Sequence, residues 1–387
     1  MSARNYLLAF GAFGIGTSGY VVAGVLPDVA GDLHVSASTA GQLVTAFAIA
    51  YAIASPVLGA LTGHWERRKL LIVAMLVAAA GNAVSAVVTN YPALFGARML
   101  TALGAAVYTP VASGVAAGLA EPGRRARDIA LVFGGLTIAL IIGVPAGSLI
   151  GGVVGYRGVF ALVALLCAAA AAGLWWVMPR VSAPAAVSLR ARLAVAVDRR
   201  IGALLLVMLL GCTAAFSVYT FIRPLFAETS GVRGGAASLL LVVYGIGAAV
   251  GNWVGGRAAD RFGSRGPLAV SLGAATVVLA AMPLELETVA TSAVALAIWG
   301  AATWSTLPVV QHALLTVSSP KMGPVALSLN ASAIYLGVGF SSAIGGVVLR
   351  VAGPLALGPV AAVLCLLALG VVVRARAQVE EPVPVAA

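Results

Sequence analysis

The stretch GALTGHWERRK at Gly59–Lys69 returns in altered form 197 residues later as GRAADRFGSRG at Gly256–Gly266. Both copies are short basic loops that follow a long apolar segment. The same step of 197 residues also pairs Pro27 with Pro224. Self-similarity at one fixed offset indicates a duplicated structural unit. In membrane proteins two such halves commonly enclose a site that opens to either side of the bilayer, so the duplication favours transport.

Composition sets the solvent in which the chain folds. Hydrophobic residues make up 61% of the 387 residues, charged residues 9%, and the mean hydropathy is +1.06. A soluble domain of this length needs more polar surface than that. Apolar stretches that can cross about 30 Å of hydrocarbon recur along both halves. They lie near residues 5–27, 38–61, 70–88, 93–118, 128–152, 157–178, 201–224, 236–255, 267–284, 289–317, 323–349 and 354–373.

The duplication and the twelve apolar stretches together predict the fold class. We expect an all-α membrane protein with twelve transmembrane helices in two pseudo-symmetric six-helix bundles. The longest polar interruption divides the halves. The expected organisation is an N-terminal bundle at 1–179, a cytoplasmic linker at 180–200, a C-terminal bundle at 201–373 and a short cytoplasmic tail at 374–387.

The net charge of +11 would favour nucleic acid as a partner if the chain were soluble. Its distribution gives a different answer. If both termini are cytoplasmic, 18 of the 23 Lys and Arg residues lie on inner loops and tails, which is the positive-inside bias of membrane proteins. Richness in Ala, Gly, Val and Arg is typical of a bacterium with a high GC content. We therefore expect a multi-pass protein of a bacterial cytoplasmic membrane, surrounded by lipid and without a nucleic-acid partner.

The cysteines and the missing catalytic constellations indicate that the chain is not an enzyme. Cys167, Cys212 and Cys365 each lie inside a predicted span, far in sequence from a His or Cys partner. This placement favours small buried side chains over a metal or redox role. An intramembrane enzyme would need a set such as His with Glu, paired Asp, or Ser with His, and none occurs at mid-depth. We predict no catalytic residue, no metal and no cofactor.

The two repeated loops resemble the pattern Gly-x-Leu-Ala-Asp-Arg-x-Gly-Arg-Lys that follows the second and eighth spans in the major facilitator superfamily. The second copy supplies Gly256, Ala259, Asp260, Arg261, Gly263 and Arg265. The first copy keeps Gly59, Leu61, Arg67 and Arg68. It departs from the pattern with Gly63 for Asp, His64 for Arg and Glu66 for Gly. The resemblance covers nearly the whole chain.

Further motifs resemble one branch of that superfamily. GVPAG at Gly143–Gly147, in the fifth span, is similar to the Gly- and Pro-rich motif of drug and metabolite antiporters. The pair Leu307-Pro308, then Gln311, Pro320 and the run Asn330–Gly337 resemble the branch of arabinose-efflux and chloramphenicol-resistance exporters. The resemblance implies a twelve-span exporter of the drug:H⁺ antiporter type.

A bundle that rocks between two states needs charges that pair in one state and separate in the other. Asp260 and Arg261 suit this latch, and Asp260 is favoured because acids contribute little to topology. Arg67, Arg68 and Arg265 can equally be solvated charges that only set orientation. Glycines give the fifth helix a smooth face and Pro145 should bend it, with tight packing lacking any coupling as the alternative. The candidate gating residues are Gly59, Arg67, Arg68, Gly143, Pro145, Gly147, Gly256, Asp260, Arg261 and Arg265.

Arg98 lies in the fourth span, where a charge is costly and marks a functional position. We expect it to face the cavity, with snorkelling to the outer interface as the alternative. Polar and aromatic residues at mid-depth complete a substrate-contact set, each with helix packing as its alternative. The set is Tyr20, Tyr51, Arg98, Thr137, Phe216, Tyr219, Tyr244, Trp304, Gln311, Asn330 and Tyr335.

An expected acid is missing from the first span. Many exporters of the branch carry a Glu there in a Thr-Glu-Phe-like triplet, and the corresponding stretch is Ser18-Gly19-Tyr20. A cavity with an arginine and no carboxylate repels cations, so the expected substrate is a neutral or weakly anionic small molecule. The missing acid weakens the case for proton antiport. Protons remain the expected coupling partner, with Asp28 and His312 as candidate carriers and Asp260 as the alternative.

Three functional hypotheses remain. The leading one is a secondary active transporter that exports drugs or metabolites as a monomer, by proton-coupled antiport with alternating access of the two halves. The second is an uncoupled facilitator or importer of a neutral solute such as a sugar or nucleoside, which the missing acid favours. The third is a non-transporting membrane sensor, which would usually carry an appended soluble domain, whereas the tail after Val373 is short.

Overall fold

A computed structural model of the chain describes residues 3–120, 125–182, 194–195, 197–232, 234–285, 288–318 and 322–374. Most of the predicted linker and the tail after Arg374 lie outside these residues. The described part of the chain is helical and contains no strand. Its α-helices are α1 Ala3–Asp32, α2 Ala37–Leu61, α3 Arg67–Val87, α4 Tyr91–Leu119, α5 Arg125–Ile138, α6 Val144–Val177, α7 Arg199–Tyr219, α8 Ile222–Glu228, α9 Gly234–Phe262, α10 Arg265–Glu285, α11 Val289–Val317, α12 Gly323–Ala352 and α13 Leu357–Arg374.

Eleven of the described helical stretches are long and apolar enough to cross a membrane. One of them, Leu131–Val177, has 47 residues, about twice the length that a bilayer requires. Gly155 interrupts it with φ of 71° and ψ of 169°, a conformation that glycine adopts without steric cost. The stretch therefore forms two spans on either side of Gly155. The predicted all-α fold of two pseudo-symmetric six-helix bundles is confirmed.

Matching helices in the two halves show where the duplication keeps its register. Helices α3 and α10 both have 21 residues, and α4 and α11 both have 29. Their starts are 198 residues apart, although α2 and α9 start 197 residues apart. The difference arises because α9 has 29 residues against 25 in α2, whereas two residues separate α9 from α10 against five between α2 and α3. Asn90 and Thr288 cap the first turns of α4 and α11 through their side chains. The offset of 197 therefore applies up to the loops, and an offset of 198 applies after them.

The chain divides into two compact units. The first comprises Met1–Val187 with Gly234–Val242, and the second comprises Ser188–Arg233 with Val243–Ala387. The first turns of α9 thus belong to the first unit, where the Ser238 hydroxyl lies 2.9 Å from that of Ser148. The bundle boundaries at 179 and 201 stay a prediction.

Glycines in the first unit let α1 approach the fifth span closely. A Cβ on Gly135 would lie 2.1 Å from the carbonyl oxygen of Ala9, and one on Gly147 would lie 2.3 Å from Cγ2 of Val21. No side chain can occupy such distances, so these positions require glycine. Gly134 faces open space instead. The smooth side of the fifth span is therefore the side that packs against α1.

Pro145 lies directly after a local change in helix geometry. Residues Ala139–Gly143 form a π-helical turn, and the N–H of Val144 donates to the carbonyl of Ala139. A proline cannot donate a hydrogen bond and displaces the carbonyl one turn before it. The wider turn accommodates that displacement, so the expected bend takes the form of a π-bulge.

The second unit uses a comparable glycine stripe between other helices. Gly247, Gly251 and Gly255 follow one another at four-residue steps along α9 and lie against α11. A Cβ on Gly251 would lie 2.0 Å from the carbonyl oxygen of Ala301. Backbone contact at this distance holds α9 and α11 in one register.

Candidate transport site

Arg98 is the charged centre of the first unit. Its side chain is 0% exposed. Nη2 donates to the carbonyl oxygen of Ser18 at 2.6 Å, and Nη1 lies 3.4 Å from the Ser18 hydroxyl oxygen. That hydroxyl in turn donates to Oδ1 of Asn82 at 3.0 Å. The arginine expected to face the cavity is thus held on α4 by contacts with α1, and through the Ser18 hydroxyl it is linked to α3.

Two aromatic rings complete the enclosure of Arg98. The guanidinium carbon lies 4.9 Å from the ring centre of Phe47 and 5.3 Å from that of Phe160. Aromatic faces attract a cation, and the attraction is strongest where water is excluded. No carboxylate pairs with Arg98 among the described residues, and its Nε has no hydrogen-bond partner there. The centre therefore keeps a positive charge inside the bundle that aromatic faces and a backbone carbonyl stabilise and that no carboxylate of the described residues neutralises.

The other predicted contact residues of the first unit lie around this centre to different extents. Tyr51 is buried and its ring centre lies 6.4 Å from that of Phe47, the ring beneath Arg98. Tyr20 is buried two residues beyond Ser18 on α1. Thr137 is half-buried and its hydroxyl donates to the carbonyl of Phe133 in its own helix. Tyr51 is therefore connected to the charged centre through the Phe47 ring.

The second unit contains an aromatic cluster. The ring centres of Tyr219 and Tyr244 lie 5.0 Å apart, and those of Tyr244 and Trp299 lie 4.6 Å apart. Phe216 continues the cluster at 5.9 Å from Tyr219. The indole N–H of Trp304 donates to the Tyr244 hydroxyl at 3.1 Å. Four predicted contact residues from α7, α9 and α11 are thus brought together.

Trp299 belongs to this aromatic cluster and was missed by the sequence analysis. It is the largest fully buried side chain of the described chain. Its indole nitrogen and the Tyr219 hydroxyl have no hydrogen-bond partner among the described residues. The available signal was its place in the same apolar span as Trp304, five residues before it.

The remaining predicted contacts lie towards other parts of α11 and α12. Asn330 is 1% exposed, and its Oδ1 has no hydrogen-bond partner among the described residues. Tyr335 is buried on the same helix, and Gln311 is half-buried on α11. A buried amide oxygen without a hydrogen-bond donor is costly. Asn330 is therefore a position where a substrate that donates a hydrogen bond can bind.

The first gating loop is held by Glu66, which stands where the superfamily pattern has glycine. Its carboxylate accepts hydrogen bonds from the backbone N–H groups of Arg68, Lys69 and Val181 at 2.8, 3.2 and 3.0 Å. The N–H of Arg67 donates back to the carbonyl of Val181 at 2.9 Å. Partial burial opposes ionisation, but these N–H groups outweigh it and lower the pKa of Glu66. The loop is therefore tied to the segment that follows α6.

The second gating loop has a different arrangement. Asp260 and Arg261 are exposed at the end of α9, and the Arg261 guanidinium lies 5.2 Å from the ring centre of Phe262. Gly256 is half-buried, and a Cβ there would meet Pro308 at 3.9 Å, an ordinary contact. Gly59, its counterpart, is also half-buried. The latch role of these residues stays a proposal.

The two candidate proton carriers occupy separate units. Asp28 is half-buried near the end of α1, where a Cβ on Gly151 would lie 3.5 Å from its carboxylate. His312 is half-buried on α11, and its Nδ1 lies 2.8 Å from the Ser264 hydroxyl. One turn beyond Asp28, Asp32 forms an ion pair of 3.2 Å with Arg157, which sequence reasoning did not predict.

Comparisons with known proteins agree on one family. Residues 8–323 and 204–387 match the model of the Major Facilitator Superfamily. The chain is 33% identical over 342 residues to the inner membrane transport protein YdhP of Escherichia coli (strain K12), covering 88% of this chain and 87% of that protein. It is 38% identical over 295 residues to a chloramphenicol resistance protein of Streptomyces lividans, covering 73% and 74%. The crystal structure of a bacterial homolog of the human lysosomal transporter Spinster matches with a TM-score of 0.76 at 19% identity, over 98% of both chains.

Proposed function

The chain belongs to the major facilitator superfamily of multi-pass membrane transporters, and from this premise we propose that it exports small organic molecules by proton-coupled antiport. It is a transporter and not an enzyme. In the proposed cycle the bundles 1–179 and 201–373 alternate in access, joined by a cytoplasmic linker, with both termini in the cytoplasm of a bacterium and the monomer as the working unit. The two gating loops act as latches on the cytoplasmic side.

Export is supported by the likeness to the chloramphenicol resistance protein of Streptomyces lividans, which spans about three quarters of both chains. A resistance protein of this superfamily protects a cell by removing the drug. The buried aromatic cluster of the second unit is consistent with an apolar substrate of that kind, since aromatic side chains with polar tips suit pockets with few orienting hydrogen bonds.

The enclosed Arg98 is the observation that carries the proposed substrate class. A positive charge without a carboxylate raises the electrostatic potential around the first unit. A cationic substrate would approach a like charge, whereas a neutral or weakly anionic one would not. We therefore assign neutral or weakly anionic molecules as substrates and disfavour lipophilic cations.

Proton coupling is assigned to Asp28 or His312. Both are half-buried titratable groups near helix ends, and the Ser264 hydroxyl beside His312 can respond to a change of charge there. A histidine changes charge near neutral pH, and a carboxylate does so when it is desolvated. Either group can then link proton uptake to a change of helix contacts.

The test uses the purified full chain in liposomes with an internal pH dye and an imposed pH gradient. Chloramphenicol is the neutral probe and a quaternary ammonium dye is the cationic probe. We expect chloramphenicol to drive proton flux and the dye to drive none. Asp28→Asn or His312→Gln should abolish that flux, whereas Asp32→Asn, which changes the neighbouring acid of α1, should not.

Other outcomes separate the alternatives. Movement of chloramphenicol without proton flux would favour an uncoupled facilitator, the hypothesis that the acid-free Arg98 centre supports. The quaternary ammonium dye as the better substrate would contradict the assigned substrate class. Movement of a sugar or nucleoside in place of chloramphenicol would contradict the export of drugs.

A further inference from the structure

Basic and tryptophan side chains gather at one end of the first unit. They come from the loop before α3, from the first turn of α3, and from the last turn of α6 with the residues after it. We name them the Trp-basic patch, consisting of Trp65, Arg68, Lys69, Trp175, Trp176 and Arg180. In the proposed orientation this end lies at the cytoplasmic face of the membrane.

Specific contacts bring the two parts of the patch together. Arg68 donates through Nη2 to the carbonyl oxygen of Trp175, and its guanidinium lies 5.5 Å from the Trp175 ring centre. The ladder between Arg67 and Val181, with Glu66 bonded to Val181, fixes the segment after α6 beside the loop. The patch is therefore a defined surface.

The patch keeps its positive charge. Glu66 is the acid of this loop, and its carboxylate is directed to three backbone N–H groups. Lys69 and Arg180 are exposed, and Arg68 is half-buried. The patch thus has three cationic side chains against one carboxylate. The oxygens of that carboxylate accept hydrogen bonds from backbone N–H groups. An anion has several donors to bind here.

The tryptophan rings of the patch are uncovered. Trp176 is 81% exposed, Trp175 61% and Trp65 41%. In a membrane protein such rings lie at the level of the lipid headgroups, with the ring in the apolar boundary and the N–H towards water. A guanidinium directly beside them lies at the depth of the phosphates.

We propose that the Trp-basic patch binds the headgroup of an anionic phospholipid of the cytoplasmic leaflet. Arg68 and Lys69 contact the phosphate, and the rings of Trp175 and Trp176 lie against the glycerol and the first methylene groups. The inference rests on the orientation in the proposed function but not on the transported substrate. Lipid binding is measured without transport, so the two can fail separately.

The second unit offers a matched comparison. There Arg257 lies 3.7 Å from the ring centre of Trp253, which is 60% exposed. This pair is one tryptophan with one arginine, and the exposed Asp260 and Arg261, an acid and a base, follow three and four residues later. An acid close by weakens the binding of an anion. We therefore assign the lipid to the first unit and use the second as the control.

The experiment measures quenching of tryptophan fluorescence by brominated lipids in phosphatidylcholine vesicles that contain the full chain with Trp253→Phe. In one series the phosphatidylglycerol carries the bromine, and its mole fraction is raised from a low value. In the parallel series the vesicles have the same phosphatidylglycerol content, but the bromine is on phosphatidylcholine. We expect phosphatidylglycerol to quench several-fold more at low mole fraction and to saturate. Arg68→Gln with Lys69→Gln should weaken the preference by about fivefold for each charge removed.

Arg257→Gln, the control in the second unit, should leave the preference unchanged. Equal quenching by the two brominated lipids in the unaltered patch would overturn the proposal, as would a preference that survives the double substitution. Trp175→Phe with Trp176→Phe provides a second measure, because it should remove the selective quenching while the arginine and lysine stay in place. If brominated phosphatidylglycerol still quenches that variant more than brominated phosphatidylcholine does, by the same factor as before, the assignment to this patch is also overturned.

Discussion

The charged centre of the first unit and the aromatic cluster of the second unit occupy related places in the duplicated fold. Helices α4 and α11 have the same length, the same kind of cap and a proline at the same position, Pro110 and Pro308. At the offset of 198 that relates them, Arg98 corresponds to Leu296, and both side chains are 0% exposed. The duplication thus preserves the backbone while the buried chemistry differs. One unit supplies charge and the other supplies apolar ring surface.

The largest expected effect comes from making the two units alike at this position. Arg98→Leu removes the charge and the donors to Ser18, and hydrogen bonds from charged groups contribute about 1.5–3 kcal/mol. If these contacts support transport, the rate of chloramphenicol transport in liposomes should fall about 10- to 150-fold. Thermal stability should change little, because removing a buried charge that has no carboxylate partner offsets the loss of these hydrogen bonds.

Leu296→Met is the control for Arg98→Leu, since it changes the corresponding buried position without changing charge or volume greatly. Its transport rate should stay within about twofold of the unaltered chain. Unchanged transport in Arg98→Leu would show that the charged centre serves the fold alone.

The next largest effect concerns the helix contacts in which the halves differ. Gly251 corresponds to Ala54 at the offset of 197, so Gly251→Ala gives the second unit the residue of the first. A Cβ there would lie 2.0 Å from the carbonyl of Ala301, and overpacking of this kind costs about 1–3 kcal/mol. The melting temperature in detergent should fall accordingly.

Gly211→Ala on α7 is the matched helix glycine, because a Cβ there meets no atom within 4 Å. Its melting temperature should hold or rise, since alanine favours the helix over glycine. A melting temperature for Gly251→Ala equal to that of Gly211→Ala would contradict the close contact between α9 and α11.

A smaller effect is expected within the aromatic cluster. Tyr244 corresponds to Phe47, the ring beneath Arg98, at the offset of 197. Tyr244→Phe makes the pair identical and removes the acceptor of the Trp304 N–H, a loss of about 1 kcal/mol. The melting temperature should fall by a few degrees, and the KM for chloramphenicol should change little unless the hydroxyl also binds substrate. Phe47→Tyr is the reciprocal variant. An equal fall in melting temperature there would mean that the Trp304 hydrogen bond does not distinguish Tyr244 from Phe47.

The smallest effect concerns the first gating loop, whose Glu66 contacts are absent from the described part of the second loop. The folded pKa of Glu66 is lowered, so its contribution to stability is present above the ordinary value of 4.5 and is lost as pH falls through the folded pKa. Surface exposure limits this contribution to less than about 1 kcal/mol. Melting curves from neutral to acid pH should show a shallower decline for Glu66→Gln than for the unaltered chain. Parallel curves would contradict the pH-dependent tie between the loop and Val181.

The sequence was sufficient for the spans because hydrocarbon thickness imposes a length that composition reveals directly. The gap between the predicted spans at 128–152 and 157–178 contains Gly155, where the helix is interrupted. The glycine face of the fifth span was likewise predicted, and its partner was identified only by the structure as α1.

The neighbours of each buried side chain could not be predicted from the sequence as well as the spans could. Hydropathy places Arg98 inside a span but does not say which neighbouring helices enclose it, since that depends on packing. Trp299 was missed for the same reason, because a tryptophan in an apolar span carries no mark of its ring partners. Glu66 was noted as a departure from the pattern, yet its role as a tie to Val181 depends on a contact 115 residues away in sequence.

The hydrogen bond from Arg98 to the main-chain oxygen of Ser18 has a consequence for how such a transporter can evolve. The 2.6 Å contact uses an atom that every residue at position 18 possesses, so it tolerates mutation there. At position 19, where the resemblance to the exporter branch implies an acid, a Cβ would meet the Phe47 ring at an ordinary 3.5 Å. An acid can therefore be gained or lost beside the arginine while the arginine stays anchored. The charge balance around Arg98 can then change by a single substitution at position 19.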